Sequence, residues 1–134
     1  MKTTSSSPAA TVRQIIQHWE EGRTDAVLLL MHPELEWLEP PESPDRNVVT
    51  GREKALGALM MWLASWASHE TELRGITEHG DKAIVDYRQR MVGAASGLEV
   101  EGDLYMVWTV VDGVATRMAM FTSRVEAEAD AGLA

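Results

Sequence analysis

Hydrophobic residues in the first third of the chain recur with the spacing of helices. A Thr-x-x-Gln capping box at Thr11 predicts the start of a first helix, and Gly22 predicts its end. One stripe of this helix is hydrophobic, formed by Val12, Ile15, Ile16 and Trp19. Thr24 caps a second, shorter helix that ends before His32. Residues 1–10 are rich in Ser, Thr and Ala without a period, and are predicted to be a disordered tail.

The middle of the chain predicts a short strand, a loop and a long helix. Residues 35–39 alternate between apolar and polar side chains, as a strand does, and prolines follow. Residues 40–50 combine proline with charge, which indicates a surface loop or lid. A capping box at Thr50 predicts a long helix to about residue 68, with Trp62 and Trp66 on its apolar side.

The second half of the chain predicts an antiparallel sheet. The candidate strands cover residues 70–77, 82–92, 98–111 and 114–122. Asp112 and Gly113 predict a two-residue turn between the last two strands, because a type I′ turn needs a positive φ at both central positions. Ser123 caps a short C-terminal helix that ends at Gly132.

The turn also predicts which side chains share a face of the sheet. If Val111 pairs with Val114, Tyr105 lies opposite Met120, and both share one face with Met118. The alternate residues of these two strands then occupy the other face.

Both faces of the predicted sheet must pack against other parts of the protein. Without a bulge in the loop at residues 93–97, Tyr87 and Gln89 join the Tyr105 face. Both faces are then apolar near the middle of the sheet, and the long helices cover only one of them. The C-terminal helix is too short to cover the other face, which predicts a homodimer that forms through the sheet.

Composition narrows the class of protein. With 134 residues, 45% of them hydrophobic, the chain is long enough for one domain core and too short for two. Its formal net charge of −9 disfavours nucleic acid or an anionic membrane as a partner, because phosphate groups attract clustered cations. The absence of cysteine excludes disulfides and thiolate chemistry. No segment is apolar enough for a signal peptide or a membrane span, so the sequence predicts a soluble, cytoplasmic protein.

Several short motifs occur in the order found in one protein family. They are Glu21-Gly22, the sequence His-Pro-Glu-Leu-Glu-Trp at 32–37, Thr-Gly-Arg-Glu at 50–53, Val-Trp-Thr at 107–109, Asp112-Gly113 and the closing segment 124–133. Together they resemble the SnoaL-like family of the nuclear transport factor 2-like superfamily, which has the ketosteroid isomerase-like fold. The resemblance implies one SnoaL-like domain over residues 11–134. It also implies an α+β fold in which a cone-shaped, curved antiparallel sheet wraps around a long helix and encloses an apolar pocket.

Members of this superfamily differ in their chemistry, so the resemblance implies site positions rather than an activity. Compared with the ketosteroid isomerases, the general base falls on Glu39 and one oxyanion donor on Tyr105, while Ile15 replaces the tyrosine donor of the first helix. Compared with the limonene-epoxide hydrolases, the catalytic Asp-Arg-Asp trio falls near Gln89, Tyr87 and Met120. None of these three positions has the Asp or Arg of the trio, so epoxide hydrolysis is not expected.

Glu39 is the predicted catalytic base. In a strand it points to the same side as Trp37, where an apolar surround disfavours the ionised carboxylate and makes it a better proton acceptor. Tyr105 would donate a hydrogen bond to negative charge that develops on a carbonyl oxygen. The pair suits isomerase, cyclase or lyase chemistry on a small hydrophobic molecule. The alternatives are that Glu39 lies in water at the mouth of the strand, and that the protein binds a ligand without catalysis or is a structural dimer.

The predicted ligand contacts are aromatic, polar or sulfur-containing side chains: Trp19, Trp37, Trp62, Trp66, Tyr87, Met118 and Met120. The alternative is that these side chains fill the core. The four histidines form no metal-binding pattern, so no metal site is predicted, and only His18 is expected to reach the pocket. No phosphate-binding or dinucleotide-binding motif occurs, so no cofactor is expected.

Overall fold

Residues 7–40 and 48–133, which the computed structural model describes, form one curved sheet of six strands and four helices. In chain order the elements are α1 (Pro8–Glu20), α2 (Thr24–Leu29), β1 (Met31–Leu38), β2 (Val48–Thr50), α3 (Arg52–Ala64), β3 (Trp66–His79), β4 (Lys82–Gly93), β5 (Glu99–Val111), β6 (Val114–Phe121) and α4 (Arg124–Asp130). The strand order is β2-β1-β6-β5-β4-β3, and all neighbouring strands are antiparallel except β1 and β6. The predicted α+β fold class is confirmed. None of the helices in this part of the chain is long and apolar enough to cross a membrane.

The first helix begins earlier than its sequence pattern predicts. Ser7 is the N-cap, and its hydroxyl accepts a hydrogen bond from the Ala10 amide at 3.1 Å. Pro8 occupies the first turn, where an amide hydrogen has no partner within the helix. Thr11, the predicted cap, is buried inside the helix. The end of the predicted tail is therefore helical, and its residues 1–6 lie outside the described residues.

The boundary between α3 and β3 also differs from the prediction. Gly51, with a φ of +111°, is the N-cap of α3, while Thr50, the predicted cap, ends β2. The helix ends before Trp66, which pairs with Gly93 as the first residue of β3. Pairing with β4 outweighs the helical pattern of these residues, because each paired residue gains cross-strand contacts that a helix end does not offer.

The predicted loop after β1 includes a short strand. Val48–Thr50 forms β2 and pairs with β1. The guanidinium of Arg52 then donates to the backbone carbonyls of Leu28 and Met31, both at 3.1 Å, which ties the start of α3 to the junction between α2 and β1. Residues 41–47 of the predicted loop or lid lie outside the described residues.

The β5–β6 hairpin has the predicted turn and an unpredicted bulge. Asp112 and Gly113 both have positive φ, at 52° and 76°, and Val111 lies opposite Val114, which confirms the turn. Beyond the turn the register shifts by one residue, so that Thr116 is an extra residue on β6. Such a bulge reverses the faces of all residues beyond it.

The bulge on β6 and the register of β4 against β5 overturn the predicted faces of the sheet. Met120 lies opposite Met106, and not opposite Tyr105 as predicted. On β4, Tyr87 and Gln89 share the face of Met106, so their predicted placement with Tyr105 is also wrong. These residues therefore face the long helices, and Tyr105 faces away from them.

Two hydrophobic layers occupy the two faces of the sheet. The inner layer lies between the helices and the sheet: it joins helix residues Val12, Ile15 and Val27 to sheet residues Leu35, Trp37, Val85, Trp108 and Met118. The outer layer consists of Ile84, Tyr105, Val107, Ala119 and Phe121 with Ala127 of α4 and Ala131 directly after it. The C-terminal helix thus covers apolar residues that the sequence pattern left exposed. The expectation that this helix is too short to cover the second face of the sheet is therefore wrong for this layer.

Farther from α4, the outer face of the sheet is charged. Arg88 bonds Glu101 at 2.9 Å and Asp103 at 3.1 Å, and Arg90 bonds Glu99 at 3.0 Å. These pairs lie at the surface, where water screens them, and they contribute little to stability. The outer face is therefore divided between a covered apolar part and a solvated charged part, and an uncovered apolar face no longer supports the predicted homodimer.

Candidate functional site

A cavity of about 810 Å³ lies on the inner face of the sheet, beneath α1 and α3. All five tryptophans of the chain line it: Trp19, Trp37, Trp62, Trp66 and Trp108. Aliphatic and sulfur-containing side chains complete most of the wall, including Ile15, Met31, Leu56, Leu59, Leu104 and Met106. Small-molecule sites have volumes of about 300–1,000 Å³ and walls of this apolar kind.

The tryptophan rings reach the cavity from five different elements. Trp19 comes from α1, Trp37 from β1, Trp62 from α3, Trp66 from β3 and Trp108 from β5. Trp37 and Trp108 are only 4% exposed, whereas Trp62 is 41% exposed and borders both the cavity and the solvent. The rings of Trp62 and Trp66 meet edge to face, with centroids 5.7 Å apart. A flat ligand would therefore meet aromatic surface on several sides.

Most of the predicted ligand contacts lie in this wall. The structure places Trp19, Trp37, Trp62, Trp66, Tyr87 and Met120 along the cavity. Met118 is fully buried in the core opposite Trp37 and does not belong to the lining. Met106 and Trp108 line the cavity although the sequence did not predict it, because the bulge on β6 brings their face of β5 together with Met120.

Glu39 lies directly after β1 and lines the cavity beside Pro40. It follows Trp37 by two residues, and the alternation of a strand directs both side chains to one side. The side chain of Glu39 is half-buried. Glu20, at the end of α1, is a second carboxylate in the wall, and the described lining contains no Lys or Arg. This charge distribution disfavours an anionic ligand.

Tyr105 does not reach the cavity. It is 7% exposed in the outer layer, and the guanidinium of Arg124 from α4 lies 5.4 Å from the centre of its ring. Adjacent residues of a strand point to opposite faces, and its neighbour Met106 lines the cavity. The predicted pairing of Tyr105 with Glu39 at one site is therefore not supported by this arrangement.

Tyr87 is the tyrosine that lines the cavity. It lies on β4 opposite Leu104 of β5 and Leu73 of β3. Burial, and secondly the negative charge of Glu20, raise the pKa of Tyr87 to about 12. The phenol therefore keeps its proton at neutral pH and is available as a hydrogen-bond donor.

A histidine that the sequence analysis did not select also lines the cavity. His69 of β3 lies 3.2 Å from Gln89 of β4, measured from Nε2 to Oε1, and its ring meets Trp62 edge to face at 5.2 Å between centroids. His18, the histidine expected to reach the pocket, lies outside the lining. The sequence pattern missed His69 because it placed this residue between a helix and a strand. A strand that starts at Trp66 places it within the sheet.

Two further polar groups of the wall have unusual surroundings. The indole N–H groups of Trp66 and Trp108 are buried and have no acceptor among the residues that the structure describes. Buried donors without an acceptor are rare in folded proteins. Within the same residues, no three Asp, Glu or His side chains come together in a group that would hold a metal ion. The arrangement therefore offers aromatic surface, hydrogen-bond donors, an imidazole and carboxylates.

The arrangement of helices and strands is the NTF2-like fold. Residues 12–118 match the SnoaL-like domain, and the chain belongs to that family, as its motifs predict. No curated protein sequence matches the chain.

Several solved structures share the fold. An NTF2-like protein from Burkholderia thailandensis E264 is 20% identical, with a TM-score of 0.79 over 95% of this chain and 98% of that one. A candidate SnoaL-like polyketide cyclase from Jannaschia sp. CCS1 is also 20% identical, with a TM-score of 0.74 over 100% and 99% of the two chains. TerC, crystallised with polyporic acid, is 21% identical, with a TM-score of 0.73 over 90% and 95%. Likeness at this level of identity establishes the fold alone.

Proposed function

We propose that this protein binds a small, largely apolar molecule in the cavity and that Glu39 acts there as a general base. The observation that carries the proposal is the position of Glu39 in the wall of a cavity of about 810 Å³ that all five tryptophans line. The reaction would be an isomerisation, cyclisation or elimination that needs no cofactor. The names of two fold neighbours, a candidate polyketide cyclase and a protein crystallised with polyporic acid, are compatible with a small organic ligand.

In the proposed chemistry, Glu39 removes a proton from a carbon next to a conjugated carbonyl group. The electron pair of the broken C–H bond moves into the conjugated system, and negative charge develops on the carbonyl oxygen. Tyr87 replaces Tyr105 as the proposed donor, to an oxygen at the far end of the conjugated system, because it lines the cavity on β4, three strands from β1. Glu39 then returns the proton to another atom of an isomerised product. In a cyclisation the enolate carbon attacks a second carbonyl, and the alkoxide that forms takes the proton from Glu39; in an elimination the electron pair expels a leaving group, which takes the proton.

Proton exchange tests this proposal directly. The carbon-bound protons next to the carbonyl of 1-tetralone, a bicyclic aromatic ketone, exchange with deuterium in D₂O, and NMR follows the loss of their signal. We expect Glu39→Gln to lower the catalysed exchange rate by about 100-fold or more, with little change in the affinity for 1-tetralone. Glu34→Gln is the matched control, since Glu34 lies exposed on β1, the strand that precedes Glu39, and outside the cavity wall.

Binding without catalysis is the second candidate function. The largely apolar wall, in which most side chains have no acid or base to offer, favours it. If the native protein binds 1-tetralone but does not accelerate exchange, the protein is a ligand carrier and Glu39 is not a base. If 1-tetralone does not bind, the proposed function is wrong.

A homodimer through the sheet and a cytoplasmic location stay predictions. A second copy would meet the charged part of the outer face, where Arg88 is already bonded to Glu101 and Asp103 of its own chain. Analytical ultracentrifugation at several concentrations measures the oligomeric state. A monomer at all of them would contradict the dimer.

A further inference from the structure

The hydrogen bond between His69 and Gln89 is a polar contact inside a largely apolar wall. Gln89 is only 9% exposed, and its Oε1 lies 3.2 Å from His69 Nε2. Trp62 packs edge-on against the imidazole at 5.2 Å between centroids, so the ring is held from two sides. Buried amides and imidazoles lose hydrogen bonds to water, and are favourable only where partners replace them.

His69 and Gln89 can each form further hydrogen bonds besides the one between them. When Nε2 of a neutral imidazole donates to Gln89 Oε1, the other ring nitrogen of His69 is an acceptor. The amide nitrogen of Gln89 carries two further hydrogens as donors. A hydroxyl could use both the acceptor and the donor, and a carbonyl oxygen could accept from the donor.

This pair lies on a different wall of the cavity from Glu39. The strand β3, which carries His69, is separated from β1 by β4, β5 and β6. At about 4.8 Å per strand, three spacings to Gln89 on β4 and four to His69 on β3 amount to roughly 14 and 19 Å along the curved sheet. A ligand that fills the space between them has one end near each polar group.

We propose that the His69–Gln89 pair anchors a hydroxyl or carbonyl oxygen at one end of an uncharged aromatic ligand and thereby sets the orientation of that ligand in the cavity. The ring system lies against the tryptophans, and the opposite end of the molecule approaches Glu39. An uncharged ligand fits because the described lining has two carboxylates, Glu20 and Glu39, and no Lys or Arg to pair with an anion. The inference rests on the proposed binding function, but not on catalysis by Glu39.

A pair of matched probes tests the anchor. Naphthalene and 2-naphthol differ by one hydroxyl group, and both are uncharged at neutral pH. Isothermal titration calorimetry on the native protein is expected to show 2-naphthol bound about 3- to 10-fold more tightly, as expected for one hydrogen bond in place of water. In the double variant His69→Phe with Gln89→Met, the two probes should bind with affinities within about twofold of each other. The affinity for naphthalene should stay near the native value.

The double variant removes both partners, so that neither is left buried without the other. His79→Phe is the matched control, because His79 is an exposed histidine of the same strand outside the cavity wall, and it should keep the native preference for 2-naphthol. A preference that persists in the double variant, or that is lost in Glu39→Gln instead, would overturn the anchor while leaving the binding function intact. Failure of the native protein to bind either probe would overturn both.

Discussion

Arg117 of β6 and Asp130 of α4 form a bidentate ion pair. Nη1 lies 2.8 Å from Oδ2, and Nη2 lies 3.0 Å from Oδ1. The hydrogen bonds to Asp130 raise the pKa of Arg117 above its already high usual value, so the guanidinium keeps its positive charge. The contact fastens the end of α4 to the sheet beside the apolar layer that the helix covers.

Loss of this ion pair should weaken the attachment of α4. Arg117→Met leaves the half-buried carboxylate of Asp130 without its partner, and we expect the free energy of unfolding to fall by about 1–2 kcal/mol in urea titrations. The double variant Arg117→Met with Asp130→Leu should recover part of the loss, because no unpaired charge remains. Arg90→Met, which breaks an exposed pair with Glu99, is the control and should change stability little. Equal losses for Arg117 and Arg90 would contradict the attachment.

The burial of Tyr87 predicts a dependence of stability on alkaline pH. Its pKa is raised from 10.0 to about 12, so between these values the folded chain keeps a proton that the unfolded chain has released. The stability that this proton contributes is complete below pH 10 and is lost as the pH rises to about 12. The ultraviolet absorbance of phenolate measures the titration, and the step near pH 12 should be absent in Tyr87→Phe. A step that persists in this variant would contradict the assignment.

Substitution of two tryptophans of the cavity should distinguish a role in ligand contact from a role in core packing. Trp62 is 41% exposed, and Trp62→Ala is expected to cost only about 1 kcal/mol of stability, for the lost ring contacts. The same variant should weaken the binding of naphthalene several-fold, because the ring forms part of the cavity wall. Trp37 is 4% exposed, and Trp37→Ala should cost about 3–5 kcal/mol. If Trp62→Ala loses stability but not affinity, the ring serves packing rather than binding.

Two glycines should respond in opposite ways to the same substitution. Gly113 has a φ of +76°, which disfavours a side chain, so Gly113→Ala should lower the free energy of unfolding by about 1–2 kcal/mol. Gly57 lies in α3, where an added Cβ meets nothing within 4 Å. Gly57→Ala should therefore raise stability by about 0.5–1 kcal/mol. Thermal unfolding of both variants measures the two effects, and changes of the same sign would refute the explanation.

Local features of the sequence were sufficient for some of the fold and for one part of the candidate site. The turn at Asp112 and Gly113 depends on the φ angles of two adjacent residues, so its sequence signal is contained within the turn. The common side of Trp37 and Glu39 follows from the alternation of a single strand. The ordered motifs led to the correct family for the same reason, since each motif is a short contiguous segment.

Contacts between segments that are far apart in the sequence decided the rest of the fold and of the candidate site. Because Thr116 is an extra residue on β6, Met106 rather than Tyr105 shares a face with Met120. Such a bulge can be recognised only when the two strands are seen paired. The start of β3 at Trp66, and with it the inward position of His69, depends on pairing with β4, which the helical pattern of that segment does not indicate. The sequence by itself therefore determined the family and the order of the main elements, while the tertiary structure decided several element boundaries and which side chains meet in the cavity. The physical reason is that turns and alternation are properties of neighbouring residues, whereas register is a property of two strands together.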